Sequence, residues 1–175
     1  MNELNESSLS RVWQHFKSDK TVVLFTAFRD EHTREENIRK NKTFAAALKS
    51  SGFGYFYVDG FFPENEGTDD EVSVKEDTIF AIAEANKGDE LIQLCHKLAN
   101  TANQDSIIVK DSEGNIYFLL KNGTKNKLAG EMRPGKLGKY YTQLRNKKAT
   151  NTFVFESERD GLGYFGHYLR SKLDD

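Results

Sequence analysis

One cysteine, two prolines and one tryptophan are all that this 175-residue chain holds of those three types. A lone cysteine, Cys95, excludes an intrachain disulfide and a thiolate metal cluster. Pro63 and Pro134 are too few for a rigid linker, and no Gly/Ser/Pro-rich stretch divides the chain. One domain spanning 1–175 is expected. No run approaches the ~18 apolar residues of a spanning helix, and the start, MNELNESSLSRVW, lacks the basic and apolar regions of a signal peptide. These features lead us to expect a cytoplasmic protein with no membrane partner. Charge of one sign is also lacking. With 25 Lys+Arg against 27 Asp+Glu the formal net charge is −2, which sets no overall pull toward nucleic acid. Aromatic bulk, by contrast, is plentiful: thirteen Phe and seven Tyr can fill a core and argue against disorder.

Helical and strand periods alternate along the chain. SSLSRVWQHFK (7–17) has the spacing of a short amphipathic helix. TVVLFTAF (21–28) is apolar on both parities, as a strand covered on both faces must be. HTREENIRKNKTFAAALKSSG (32–52) predicts a helix with Ile38, Phe44, Ala45 and Leu48 as its stripe and Gly52 as its stop. A second strand at 53–60, an acidic loop over 61–75, a third strand at 71–82 and a second helix at 88–102 follow. DSIIVKDSEGNIYFLL (105–120) reads as a hairpin turned at Glu113-Gly114-Asn115. The tail carries one strand at 150–157 and a short helix after Gly166. The order β-α-β-β-α-β plus one strand implies an α+β, ferredoxin-like sandwich. Its core covers 18–122, and 123–175 form a C-terminal extension.

Within EVSVKEDTIFAI (71–82), Val72, Val74, Thr78, Phe80 and Ile82 share one parity. Glu76 shares it too. A carboxylate on a half-buried face needs a cation, hydrogen-bond donors or a raised pKa. Glu76 therefore lies at a strand start, reaches solvent, or pairs with a lysine such as Lys20 or Lys110.

The segments around Glu76 carry a resemblance. TAFRD (26–30) closes the first strand, ENIRKN (36–41) opens the helix, and Gly60-Phe61-Phe62 ends the second strand. Glu76-Asp77-Thr78 starts the third strand, and Gln104-Asp105 precedes the fourth. This ordered set over residues 20–122 resembles the bacteriophage S-adenosylmethionine lyases and a related bacterial domain family. The resemblance implies a PII-like ferredoxin fold and a homotrimer holding S-adenosylmethionine at subunit boundaries. It implies an intramolecular cleavage to 5′-methylthioadenosine and homoserine lactone, serving a phage against host restriction, with no metal and no further cofactor. Glu76 matches the family's functional glutamate, and Phe28, Phe62, Thr78 and Gln104 would surround the substrate. Gln104 could equally fix backbone groups, and Phe28 and Phe62 could simply pack. One departure stands out: Phe62 occupies the place of a family tyrosine whose hydroxyl serves the site.

Other signals point elsewhere. A non-catalytic relative would bind a nucleotide-like metabolite or a host defence protein. Nine Lys/Arg against one acid, Glu131, between Lys121 and Lys148, interleaved with Tyr140 and Tyr141, would suit nucleic acid. The same segment could be a solvated surface, or could meet the eight acids of residues 59–77 in a neighbouring subunit. A structural virion component is a further alternative. GLGYFG (161–166) reads as a glycine-rich turn, because a nucleotide fold needs a following strand and an acid about 20 residues on. The four histidines are scattered, without the spacing of a metal site, and Cys95 lies on an apolar helix stripe as a core thiol.

Overall fold

Five consecutive residues without an exposed face, TVVLF, make β1 (Thr21–Phe25). In this computed structural model the described residues are 14, 15, 17–29, 31–64, 68–70, 72–127, 132–134, 141–144 and 152–155. After β1 come α1 (Arg34–Ser50), β2 (Gly54–Glu64), β3 (Val72–Ala83), a short 3-10 turn and α2 (Gly88–Thr101). The chain continues through β4 (Ser106–Lys110), β5 (Ile116–Leu120), β6 (Lys125–Lys127), β7 (Met132–Pro134), β8 (Tyr141–Leu144) and β9 (Thr152–Phe155). The class is α+β. The strands form one sheet in the order β6-β5-β4-β1-β3-β2-β8-β9-β7, and every registered pair is antiparallel.

Both helices pack on one face of the sheet. Val23, Phe25, Ile79, Ala81, Ile107, Val109 and Leu119 supply the sheet side of this core, and Phe44, Leu48, Leu91, Cys95 and Ala99 supply the helix side. Burial of each large side chain contributes about 1.5–3 kcal/mol. On α1 the buried positions are Asn37, Asn41, Phe44, Ala45 and Leu48. Ile38, expected in that stripe, is only half-buried, and two asparagines take the inward places ahead of Phe44. The helix opens on a capping box between Thr33 and Glu36. It closes on a Schellman motif, with Gly52 at φ 82°, Gly52 N–H donating to Lys49 and Phe53 N–H to Leu48. Gly88 is needed for a different reason: a Cβ there would lie 2.2 Å from Thr21 Oγ1.

The opposite face is covered as well. Phe80, Ile108, Phe118 and Val22 are buried there, and the His15 ring lies 6.4 Å from the Phe80 ring. Lys110, 1% exposed, holds the covering segment by donating from Nζ to the carbonyls of His15, Ser18 and Lys20. Burial pulls its pKa below the usual lysine value.

The expected acidic loop is shorter than its composition suggested. β2 and β3 stay paired out to Glu64↔Val72, so residues 61–64 and 72–75 are strand. The alternation of Val72 and Val74 with polar neighbours outweighs the acidity of the segment. The hairpin at 113–115 forms as expected: Asp111 Oδ1 accepts from the N–H groups of Glu113 and Asn115. β9 falls within the expected tail strand. The helix after Gly166, the GLGYFG turn, most of the N-terminal helix and Lys147 and Lys148 lie outside the described residues.

Candidate functional site: a cleft where two strands end

Past Phe25 the chain leaves the sheet without forming a helix, so the backbone groups of residues 26–29 need partners. Polar side chains provide them. Asn41 Oδ1 accepts from Ala27 N–H at 2.8 Å, and Asn41 Nδ2 donates to the Asp77 carbonyl at 2.7 Å. Asn37 Oδ1 accepts from Arg29 N–H and its Nδ2 donates to the Arg29 carbonyl, both at 3.0 Å. Thr26 Oγ1 donates to the Asp77 carbonyl at 2.8 Å and accepts from Phe28 N–H at 3.1 Å. Gln104 Nε2 donates to the Phe28 carbonyl at 2.6 Å. The end of β1, the start of α1 and the middle of β3 are thereby fixed to one another.

A cleft opens at this junction. Phe28, Arg29, His32, Arg34, Asn37, Lys75 and Glu76 line it, around a volume of about 170 Å³. Small-molecule sites usually measure ~300–1,000 Å³. The cleft therefore suits one end of a metabolite rather than the whole of it. Glu76 is half-buried and stands opposite Gly60 in the β2–β3 register, so no side chain rises beside it on β2. The two lysines weighed as its partners are engaged elsewhere: Lys20 lies 3.6 Å from Glu84, and Lys110 holds carbonyls.

The charges along the rim occur in pairs. Asp59 and Asp77 are cross-strand partners, a like-charge pairing that costs stability unless countered. Lys75 Nζ lies 3.6 Å from Asp59 Oδ2, and an Arg34 Nη lies 3.3 Å from Asp77 Oδ1. The Arg34 guanidinium also sits 5.7 Å from the Phe28 ring centre, within cation–π range. Hydrogen bonding to the Thr33 backbone holds the Glu36 carboxyl below the usual carboxylate range.

The five residues singled out in the sequence distribute as follows. Glu76 and Phe28 meet on the cleft. Thr78 lies behind it on the Glu76 face of β3, and its buried Oγ1 has no hydrogen-bond partner among the described residues. Gln104 touches the site through the Phe28 carbonyl, the backbone-fixing role that its position allowed. Phe62 is paired with Val74, two pairs beyond Gly60 and Glu76, and its side chain lies outside the described residues.

A family model for the S-adenosylmethionine lyase family matches residues 23–157, most of the chain and all of the cleft. The chain belongs to the S-adenosylmethionine lyase family. Among solved structures, a phage SAM lyase in complex with S-methyl-5′-thioadenosine is 16% identical, covering 61% of this chain and 82% of its own, at a TM-score of 0.31. A phage SAM lyase in the apo state is 13% identical, covering 74% and 90% respectively, also at 0.31. No curated protein matches.

In this S-adenosylmethionine lyase family member, Asn37 and Asn41 stood in the matching segment ENIRKN without being given a role, and Arg34 was overlooked. The signal for the asparagines was present: they fall at i, i+4, in step with Phe44, Ala45 and Leu48 on one helix face. Arg34 carried no comparable mark. Cys95 is fully buried and desolvation raises its pKa well above the usual thiol value, as a core thiol requires. Among the described residues no group of His, Cys, Asp and Glu could hold a metal ion, and no helix is long and apolar enough to cross a membrane.

Proposed function

We propose that this family member cleaves S-adenosylmethionine to 5′-methylthioadenosine and homoserine lactone. The observation that carries the reading is the meeting of Glu76 with Phe28 on one cleft, from segments 48 positions apart, inside a chain of this family. A carboxylate oxygen of the substrate attacks its own γ-carbon. The γ-carbon–sulfur bond breaks, and its electron pair stays on sulfur as a thioether. No water, metal or protein nucleophile takes part. The protein's task is orientation, worth ~7–11 kcal/mol at best. Glu76 faces the cationic end of the substrate, Phe28 forms an apolar wall, and the Thr78 hydroxyl supplies a polar group behind them. Gln104 positions Phe28 through the backbone.

The β-α-β-β-α-β order with β4-β1-β3-β2 at its centre supports a ferredoxin-like core of the PII type within one domain, extended by residues 123–175. The small volume of the cleft supports completion of the site by a neighbouring subunit, and the homotrimer that the family resemblance implies belongs to the same proposal. Residence in the host cytoplasm and action against restriction belong to the same proposal.

Phe62 favours a second reading, in which the protein binds the metabolite without turnover, because the family hydroxyl is absent there. Incubation with S-adenosylmethionine and chromatography of the products separates the two. Methylthioadenosine formed by the wild type and lost in Glu76→Gln supports the lyase. Calorimetric binding without product supports the binder, and neither binding nor product removes both.

A further inference from the structure

Three cations line the cleft, and they are not equally occupied. Arg29 commits Nε to Glu31 Oε1 at 2.9 Å and Nη1 to the Asn103 carbonyl at 2.8 Å, with its side chain 23% exposed. Lys75 is paired with Asp59. Arg34 makes two hydrogen bonds, to the Lys75 carbonyl and to Asp77 Oδ1, both at 3.3 Å, the long end of the range. Its side chain is 50% exposed. A guanidinium has five N–H donors, so three are left without a partner among the described residues. The stack on Phe28 holds the group at the cleft, and its two contacts fall on the residues immediately before and after Glu76.

We propose that Arg34 takes the carboxylate of the bound ligand while Glu76 faces its cation. The inference rests on the S-adenosylmethionine reading and adds a ligand-selecting residue to it. Asp77 shares the helix-side parity of Ile79, and Glu76 shares the opposite parity of Thr78 and Phe80. The two charges therefore approach the cleft from the two faces of β3. A zwitterionic amino-acid tail, with its carboxylate a few bonds from a positive centre, is drawn to both ends at once. The planar fork of arginine binds a carboxylate through two parallel N–H groups and fixes its plane, which a lysine ammonium does not. Orientation of that plane is what an attack by the same carboxylate on the γ-carbon requires.

The rival role for Arg34 is to neutralise Asp77 where it stands opposite Asp59. That role would weaken every ligand alike, so the decisive readout is a ratio. Calorimetry on the full chain compares two ligands. One is the aza analogue of S-adenosylmethionine, which carries a protonatable nitrogen in place of sulfur and is not cleaved. The other is the decarboxylated form of that analogue, which keeps the cationic centre and adenosine but has no carboxylate. We expect the wild type to prefer the carboxylate form by about 10- to 100-fold. Arg34→Gln should bring the two within about threefold of each other, and Arg34→Lys should fall between. Equal wild-type affinities, or an Arg34→Gln protein that keeps the wild-type preference, overturn the proposal. If Arg34→Gln does not fold, the Arg34→Lys ratio decides, and an unchanged preference there overturns it. A wild type that binds neither compound removes the S-adenosylmethionine reading, and this proposal with it.

Discussion

Asn41→Ala tests whether the cleft is held by the asparagine clasp. Asn41 is 2% exposed and Ala27 fully buried, so water cannot replace the lost amide without opening the core. Two bonds disappear, and they are not equivalent. The Asp77 carbonyl keeps its bond from Thr26 Oγ1, so that loss costs about 1 kcal/mol. Ala27 N–H has Asn41 Oδ1 as its acceptor, and orphaning a buried donor costs about 1–3 kcal/mol. The sum is about 2–4 kcal/mol, or roughly 5–15 °C in Tm for a chain of this size. Urea unfolding followed by circular dichroism should show a lower midpoint with an unchanged slope. Thr43→Ala on the exposed side of the same helix, where Oγ1 bonds only the Arg39 carbonyl, serves as the control and should shift little. S-Adenosylmethionine affinity should fall with Asn41→Ala, because Phe28 and Glu76 lose their shared tether. A loss below about 0.5 kcal/mol, equal to the control, would refute the reasoning.

Two more outcomes concern the frame around the site. The Glu36 carboxyl has a folded pKa below its usual value of 4.5, so its contribution is present above pH 4.5 and lost as pH falls through the folded value. The stability gap between wild type and Glu36→Gln should therefore be open at pH 7 and shrink below pH 4.5. A gap that is constant with pH would mean that the carboxylate does not cap α1. Cys95 should not react with a thiol reagent at pH 8 in the native state and should react fully in guanidinium chloride. Rapid native labelling would contradict the packing of α2 on the sheet.

How far the sequence could be read differed from segment to segment. Elements with a long period or strong punctuation were legible: α1 from Thr33 to Gly52, the Asp111 turn, and β1 from its unbroken apolar run. The extent of β2 and β3 was not, because residues 61–64 and 72–75 are polar enough to pass for a loop until each strand finds the other. Glu76 stood out because a charge broke an alternation, a purely local signal. Phe28, Thr78 and Gln104 were singled out only through a family pattern, and Arg34 not at all, since an arginine at a helix start is ordinary.

The order of elements and the oddity of one carboxylate are properties of neighbours along the chain, and local sterics and solvation decide them. By contrast β3, expected to be half-buried with Phe80 and Ile82 inward, is buried on both faces, with Ile79 and Ala81 toward the helices. The junction itself is different. Asn41 meets Ala27 and Asp77 across 14 and 36 positions, and Gln104 meets Phe28 across 76. Directional bonds over such separations exist only after the sheet has closed and the helix has docked, so the tertiary structure alone decided that Glu76 would face a cleft.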